Sequence, residues 1–192
     1  MSLNEQKSAL RKQISAKAKA VPPERRESDS KELCTKLKNQ SFFRSAASIL
    51  FFAPLPDEVD LWPLLESAIA EDKIIALPCF DLDDRIYKSR HIKNLHVEIL
   101  SGQFGIREPA ASCIEIPLKD LDLILVPGIA FDLRGNRLGR GKGFYDRLLE
   151  NFPGKKIAIA FDEQIADEIP AGKTDVRMDF ILTPTRCVAV GN

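Results

Sequence analysis

The sequence has no excess of charge of either sign, because its 192 residues include 28 basic and 28 acidic side chains. Proteins that coat nucleic acids usually carry a strong basic excess, so this balance argues against nucleic acid as a partner. No apolar run approaches the ~20 residues that span a membrane. The first twenty residues are polar and lack the apolar centre of a signal peptide. We therefore expect a cytoplasmic protein that binds neither nucleic acid nor membrane.

Cysteine is scarce and scattered, at Cys34, Cys79, Cys113 and Cys187. These residues form no CxxC pair, which argues against a zinc ribbon and against a dithiol redox motif. Single cysteines beside apolar neighbours usually behave as small hydrophobic residues. We expect all four to be buried packing residues rather than catalytic thiols.

Short apolar segments alternate with amphipathic ones along the chain. Strands are predicted at 46–53, 73–78, 85–92, 121–132, 155–161 and 178–185. Helices are predicted over the first twenty residues and at 23–40, 61–72 and 143–152. This alternation predicts an α/β fold with a largely parallel or mixed central sheet, flanked by helices as an open sandwich. No linker or repeat is visible, so residues 1–192 are predicted to form one domain.

The segment RLGRGKGFYDR, at 137–147, follows the strongest predicted strand and leads into a helix. Its glycines alternate at positions 139, 141 and 143, where they let the backbone approach an anion closely and adopt positive φ. Arg137, Arg140 and Lys142 add full positive charges. Ligands of open α/β sheets bind beyond the carboxyl ends of strands, and helix N-termini favour phosphate. The segment is therefore interpreted as a polyphosphate cradle.

The common phosphate-binding fingerprints do not fit this segment. A P-loop would need glycine at 136 and Ser or Thr at 143, where the chain has Asn136 and Gly143. A GxGxxG motif that began at Gly139 would need a third glycine where Phe144 stands. A flexible basic surface loop is the alternative to a cradle.

The longer segment LVPGIAFDLRGNRLGRGKGFYDRLL resembles the signature of the 5-formyltetrahydrofolate cyclo-ligase family. Weaker matches are KSALR at 7–11, PDEVD at 56–60, FGIREP at 104–109 and TDVRMDFILTPT at 174–185. The resemblance implies an enzyme that acts on small molecules, and we expect it to be a monomer. It would use ATP and Mg²⁺ to convert 5-formyltetrahydrofolate to 5,10-methenyltetrahydrofolate, with release of ADP and phosphate. In the implied mechanism the formyl oxygen takes the γ-phosphate, and N10 then attacks the formyl carbon.

The resemblance also implies which residues hold ATP. Lys7 and Arg11 lie four residues apart on one face of the first helix, and they would supply cations to the ATP phosphates. The cradle residues implied to bind ATP are Arg137, Leu138, Gly139, Arg140, Gly141, Lys142, Gly143, Phe144 and Tyr145. Among these, Arg140, Lys142 and Tyr145 are expected to be catalytic.

The folate is expected to contact Ala53 and Glu58. It would also contact part of the cradle, namely Arg140, Gly141, Lys142, Gly143 and Phe144. On the residues alone, Glu58 belongs to an acidic turn in which Asp57 and Asp60 are equally plausible ligands. One of the two aromatic residues Phe144 and Tyr145 is expected in the core, and the other against a ligand ring.

The resemblance makes Asp146 and Asp175 the ligands of Mg²⁺. A magnesium ion that bridges phosphates typically keeps one or two carboxylates. Asp146 could instead stabilise the first turn of its helix through the helix dipole, and Asp179 competes with Asp175. We expect no cation between Asp146 and Asp175, so that removal of either charge would not destabilise the ligand-free protein.

Two other functions fit the cradle on its own. One is a folate- or nucleotide-binding module without turnover, and the other is an enzyme of sugar phosphates or coenzyme A, since such sheets serve those chemistries as well. The joint presence of Lys7, Arg11, Arg137, Asp146 and Asp175 favours the ATP-dependent enzyme, because a folate store needs no magnesium–ATP site.

Overall fold

The computed structural model of the protein describes residues 1–81, 86–102, 106–172 and 174–191. The helices are α1 (Leu3–Lys19), α2 (Pro23–Lys38), α3 (Ser41–Ser45), α4 (Trp62–Ala70), α5 (Leu95–Glu98) and α6 (Phe144–Leu149). The strands are β1 (Ser48–Leu50), β2 (Ile74–Phe80), β3 (Tyr87–Ile92), β4 (Ile99–Ser101), β5 (Arg107–Pro109), β6 (Leu123–Val126), β7 (Ala130–Phe131), β8 (Arg137–Leu138), β9 (Lys155–Ile159), β10 (Phe180–Leu182) and β11 (Cys187–Ala189). Short 3₁₀ turns lie at Leu118–Asp120 and Asp162–Gln164.

The central sheet has the strand order β11-β10-β9-β6-β1-β2-β3. The five inner strands pair in parallel, from β10 through β9, β6 and β1 to β2. The two outer strands are antiparallel to their neighbours, β11 to β10 and β3 to β2. The α/β class is therefore confirmed, with a mixed sheet whose centre is parallel.

Both faces of the sheet are covered, as a parallel sheet requires. Along β6, Leu123 and Leu125 face one side while Ile124 and Val126 face the other. The first face packs against α2, α3 and α4, and the second against α6 and the chain just after it. Alternate side chains of β6 thus belong to two separate hydrophobic clusters. Because both faces of the strand are buried, every residue in it is apolar.

The strand predicted at 121–132 is shorter than its apolar pattern indicates. It leaves the sheet after Val126, because Pro127 has no N–H to donate and Gly128 lies close against its neighbours. A Cβ atom on Gly128 would lie 2.7 Å from Cζ of Phe131. Beyond it, β7 pairs with β8 as a small antiparallel hairpin. The chain therefore turns away from the sheet where the glycine-rich segment begins.

The region between residues 93 and 119, for which the sequence predicts no helix or strand, contains α5 and the β4–β5 pair. Parts of two other predicted features, Arg85 of the strand at 85–92 and Phe104 and Gly105 of FGIREP, lie outside the described residues. The prediction of uniformly buried cysteines is wrong, because Cys187 is exposed and Cys79 is the buried one.

Helix α1 packs against the β7–β8 hairpin. It begins with a capping box, in which the Ser2 hydroxyl accepts the N–H of Glu5 and the Glu5 carboxylate accepts that of Ser2. Ile14 of the same helix is buried with Leu138 and Ile169. This contact fixes the helix beside the glycine-rich segment. Among the described residues, no helix combines the length and the apolar character needed to cross a bilayer.

Candidate functional site

A cleft of about 470 Å³ opens around the carboxyl ends of β1, β2 and β6, where Ala53, Pro78 and Gly128 lie in its wall. Every site residue predicted from the sequence also lies in this wall. Those residues are Lys7, Arg11, Ala53, Glu58, Arg137, Leu138, Gly139, Arg140, Gly141, Lys142, Gly143, Phe144, Tyr145, Asp146 and Asp175. The fold thus brings together residues that are far apart in the chain, at the edge of the sheet where α/β proteins bind ligands.

Glycine is required at each of the three alternating positions, but not for the same structural reason. Gly141 and Gly143 adopt φ of 93° and 65°, which a side chain would disfavour. Gly139 has an ordinary backbone but no space, since its Cβ would lie 2.6 Å from Nη1 of Arg137. Gly143 is also the N-cap residue of α6, which is only six residues long. The segment therefore bends tightly and leaves its backbone open to the cleft.

Helix α1 contributes two cations to the cleft, as its spacing predicts. Nε of Arg11 donates to the carbonyl oxygen of Gly139 at 2.9 Å. Nζ of Lys7 lies 2.6 Å from Oδ2 of Asp175, and both side chains are largely buried. The helix thus fixes the glycine-rich segment on one side and Asp175 on the other.

The two predicted metal ligands are each paired with a cation, contrary to expectation. Oδ1 of Asp146 accepts a hydrogen bond of 2.8 Å from Nη2 of Arg137, while Asp175 is paired with Lys7. Burial alone would raise the pKa of Asp175, but the N–H of Gly172 and the ammonium of Lys7 lower it overall. Two ion pairs therefore stand where an unshielded pair of carboxylates was expected.

Arg137 is the most enclosed cation of the cleft, with a side chain only 5% exposed. Its guanidinium carbon lies 5.4 Å from the centre of the Tyr145 ring. Its Nε has no hydrogen-bond partner among the described residues. A buried donor without a partner is costly, so this N–H is available to a ligand oxygen.

Asp179, the competing candidate for the metal, lies elsewhere. Its Oδ2 accepts the backbone N–H of Lys156 at 2.7 Å, and it is absent from the wall of the cleft. It therefore anchors the start of β9 instead of facing the site. The described residues contain no group of three or more His, Cys, Asp or Glu side chains placed to hold a metal ion by themselves.

The three carboxylates of the acidic turn at 56–60 lie in different surroundings. Glu58 points into the cleft with a side chain 10% exposed, and it accepts the N–H of Leu55 and a hydrogen bond of 3.1 Å from Arg140. Asp57 binds the same Arg140 at 2.9 Å from the outside. Asp60 accepts the N–H of Trp62 instead and borders a different groove. Burial raises the pKa of Glu58 despite its contact with Arg140.

Both aromatic residues of the cradle face the cleft, in different surroundings. The Phe144 ring meets the rings of Tyr87 and Phe80 edge-on, at 5.1 and 5.4 Å between ring centres. Tyr145 packs against both main hydrophobic clusters. Burial, and secondly the nearby charge of Glu58, raise the pKa of its phenol well above the ordinary value. Near neutral pH, Tyr145 can therefore donate a proton in a hydrogen bond but cannot serve as a base.

Comparison with known proteins shows the family of this chain. A sequence model of the 5-formyltetrahydrofolate cyclo-ligase family matches residues 3–184. The chain belongs to the 5-formyltetrahydrofolate cyclo-ligase family. This membership confirms the family and the enzyme class, a ligase, that the glycine-rich signature indicates.

Members of the 5-formyltetrahydrofolate cyclo-ligase family from distant organisms align with nearly the whole chain. The mouse 5-formyltetrahydrofolate cyclo-ligase is 29% identical over 201 residues, which cover 95% of either chain. The enzyme of the same name from Escherichia coli K12 is 27% identical over 180 residues, covering 90% of this chain and 97% of the relative. The NMR structure of Aquifex aeolicus 5,10-methenyltetrahydrofolate synthetase has a TM-score of 0.87 at 31% identity, and the match covers 97% of this chain and 93% of that one.

Several wall residues of this cyclo-ligase family member were missed at the level of sequence. They are Asn4, Phe52, Tyr87, Ile106 and Glu108. Asn4 lies three residues before Lys7 on α1, so helical spacing could have found it. Glu108 lies within FGIREP, and burial raises its pKa although a backbone hydrogen bond at Phe80 opposes the rise. Tyr87 carries no local signal, because only the pairing of β3 with β2 brings it to the cleft.

Proposed function

We propose that this chain catalyses the ATP-dependent cyclisation of 5-formyltetrahydrofolate to 5,10-methenyltetrahydrofolate, with release of ADP and phosphate. One observation carries the proposal, which is that a single cleft combines two unlike walls. The cationic wall consists of Lys7, Arg11, Arg137, Arg140 and Lys142. The ring wall consists of Phe52, Tyr87, Phe144, Glu58 and Glu108.

The cationic wall suits a polyphosphate. Phosphate oxygens are bound best by charged donors, and arginine can bind two of them at once. Nε of Arg137 is buried and has no partner in the part of the chain that the structure describes, and Gly141 and Gly143 adopt positive φ in the wall of the same cleft. These features support ATP as the nucleotide substrate, with its phosphates against this wall.

The ring wall suits the pterin of a folate. Tyr87 and Phe144 offer aromatic surface, and flat ring systems pack well on such surfaces. Glu58 offers a carboxylate that can accept two N–H bonds from the pterin edge. Its near burial makes that recognition selective, since a ligand without N–H groups would leave the carboxylate poorly satisfied.

The proposed reaction makes the formyl oxygen a leaving group. That oxygen attacks the γ-phosphorus of ATP, the bond from phosphorus to the ADP oxygen breaks, and ADP leaves. N10 of the folate then attacks the activated formyl carbon, loses its proton, and phosphate departs as the C–O bond breaks. Little covalent chemistry falls to the protein, so Arg140 and Lys142 would act by positioning and charge neutralisation. Tyr145 would act as a hydrogen-bond donor, because burial keeps its pKa high.

Asp146 and Asp175 fit a magnesium ion that is held jointly with phosphate. They are oxygen donors in the wall of the same cleft, and such an ion needs only one or two carboxylates from the protein. When bound, the ion would neutralise charge on the phosphate oxygens. Arg137 and Lys7, which pair with these carboxylates in the ligand-free protein, would then be available to phosphate oxygens.

The proposal is tested by incubating the protein with 5-formyltetrahydrofolate, ATP and Mg²⁺ and following the absorbance of methenyltetrahydrofolate. We expect product that requires both ATP and Mg²⁺. Product at the same rate without ATP, or no product under any condition, would refute the assignment.

We further propose that residues 1–192 form one domain that acts on small molecules as a cytoplasmic monomer. The balanced charge supports small molecules rather than nucleic acid as partners, and the rest stays a prediction.

A further inference from the structure

One guanidinium group of the cleft is shared by two carboxylates. Nη2 of Arg140 donates to Oδ1 of Asp57 at 2.9 Å and to Oε1 of Glu58 at 3.1 Å. Arg140 is therefore part of the cationic wall and, at the same time, the cation that compensates the charge of Glu58 in the ring wall. Because both carboxylates bind the same nitrogen, a ligand group that takes the position of Nη2 beside Glu58 also displaces it from Asp57.

The two carboxylates differ in how much they need this cation. The side chain of Asp57 is 49% exposed, so water can replace Arg140 there at little cost. The side chain of Glu58 is 10% exposed, and its other described partner is the N–H of Leu55. A nearly buried carboxylate that loses its cation is destabilised, because its charge has neither water nor a partner.

ATP by itself would therefore compete poorly for Arg140. To bind a phosphate with Nη2, Arg140 would have to leave Glu58 uncompensated. The side chain of Arg140 is 48% exposed, so it has space to turn and the obstacle to this movement is electrostatic. A folate that donates N–H groups to Glu58 removes the obstacle, since the carboxylate then has new partners.

We infer that Asp57 is a positioning residue which, through Arg140, makes ATP and 5-formyltetrahydrofolate bind cooperatively. Asp57 holds Nη2 of Arg140 on Glu58 until the folate takes over that carboxylate, and Arg140 then turns to the phosphates. The inference rests on the proposed function. It assigns to Asp57 a role that requires no contact with either substrate.

The turn contains a matched control for Asp57. Asp60 lies three residues further on, is exposed like Asp57, and forms no ion pair with Arg140 within the described residues. Asp57→Asn and Asp60→Asn make the same chemical change in the same turn, so a general effect of lost negative charge would appear in both. Asp60 also accepts the N–H of Trp62, a bond that the amide oxygen of Asn can keep, so the contact with Arg140 is the main difference between the two changes.

The test measures the affinity of a non-hydrolysable ATP analogue by calorimetry, with and without saturating 5-formyltetrahydrofolate. In the unaltered protein we expect the folate to tighten analogue binding by about tenfold, within the usual range of coupling between sites. In Asp57→Asn we expect the analogue alone to bind about threefold more tightly, as the loss of one exposed ion pair allows. Its affinity in the presence of folate should not change, so the coupling should fall to about threefold.

Asp60→Asn should retain the full tenfold coupling. A coupling factor of one in the unaltered protein, or the same factor in Asp57→Asn as in the unaltered protein, would overturn the inference. Equal losses in Asp57→Asn and Asp60→Asn would overturn it as well, since the contact with Arg140 would then not be the cause. If the protein binds both ligands independently, the inference alone fails. If it binds neither ligand, the proposed function fails and the inference fails with it.

Discussion

Two aspartates accept hydrogen bonds from backbone N–H groups in the same way, one at the carboxyl ends and one at the amino ends of the parallel strands. These two ends of the strands are called the carboxyl edge and the amino edge of the central sheet. Asp132 lies beyond the carboxyl edge, between β7 and β8, and accepts the N–H groups of Asn136 and Ile169 at 3.0 and 2.9 Å. Asp122 lies at the amino edge and accepts those of Ala47 and Ser48 at 2.8 and 2.9 Å. Asp132 is fully buried, whereas Asp122 is exposed.

The two carboxylates differ in what they connect. Asp132 joins the β7–β8 hairpin, which presents Arg137, to the segment that leads towards Asp175. Asp122 joins the starts of β1 and β6, which present no residue to the cleft. The same interaction therefore supports the candidate site at one edge and only the sheet at the other. Variants at the two edges should separate loss of function from loss of stability.

The largest effect is expected at the carboxyl edge, from Asp146→Asn. If Asp146 binds Mg²⁺, turnover should fall by about 100-fold or more, and the half-maximal rate should need more Mg²⁺. Asp175→Asn should behave in the same way, whereas Asp179→Asn, outside the cleft, should keep both properties. A magnesium titration of the rate for the three variants decides the matter. An Asp146→Asn protein with normal rate and magnesium dependence would show that this carboxylate only stabilises its helix.

The same variant also tests the ion pair with Arg137. Because Arg137 is almost fully buried, weakening its contact with Asp146 should lower the stability of the ligand-free protein by about 1 kcal/mol. This replaces the sequence-based expectation of unchanged or increased stability, which assumed that no cation lies beside the carboxylate. A ligand-free melting curve shows which sign is right.

The second effect in size is expected from Asp132→Asn, which introduces an NH₂ group among N–H donors. Unfavourable burial of unpaired donors should lower the free energy of unfolding by about 2–3 kcal/mol. Because the hairpin presents Arg137, the KM for ATP should rise more than that for folate. Denaturant unfolding and the two KM values measure this. Equal changes of both KM values would mean that the hairpin does not position the cationic wall in particular.

A smaller effect is expected from Glu58→Gln, which tests the ring wall separately from the cationic wall. The loss of a charged acceptor should raise the KM for folate by about tenfold while ATP still binds. The folded pKa of Glu58 lies above its ordinary value because the residue is buried, so its charge costs stability at neutral pH. Gln should therefore leave the melting temperature unchanged or raise it. Normal folate kinetics in this variant would contradict the assignment of Glu58 to the pterin.

The smallest effect is expected at the amino edge, from Asp122→Asn. Hydrogen bonds from the backbone of Ser48, ahead of smaller contributions, hold the pKa of Asp122 below its ordinary value. A carboxyl group with a lowered folded pKa stabilises the protein above its unfolded pKa, which is about 4, and loses this effect as the pH falls. The variant should be about 1 kcal/mol less stable at pH 7, with unchanged kinetics. The difference in stability from the unaltered protein should shrink as the pH falls below about 4 and should vanish below the lowered folded pKa of Asp122, whereas a difference that stays constant with pH would contradict the cause given.

Much of the site could be predicted from the sequence because its determinants are local. The spacing of Lys7 and Arg11 places both on one helix face, and glycines mark a segment that must turn sharply and lie close to its surroundings. The apolar pattern also located β6, although it could not show that the strand ends at Val126. An apolar hairpin and an apolar strand have the same local composition, so only their pairing distinguishes them.

What the tertiary structure alone decided is which charges meet. Lys7 and Asp175 are 168 positions apart, and Arg140 and Asp57 are 83 apart, yet each pair is in contact. No periodicity spans such separations, because side-chain spacing carries information only within one helix or strand. The sequence determined the longer helices, the inner strands of the sheet, the glycine-rich turn and the family of this protein. The packing of α1 and of the acidic turn around that glycine-rich segment decided which carboxylate faces which cation, since a charge can select its partner only after the fold has brought both together.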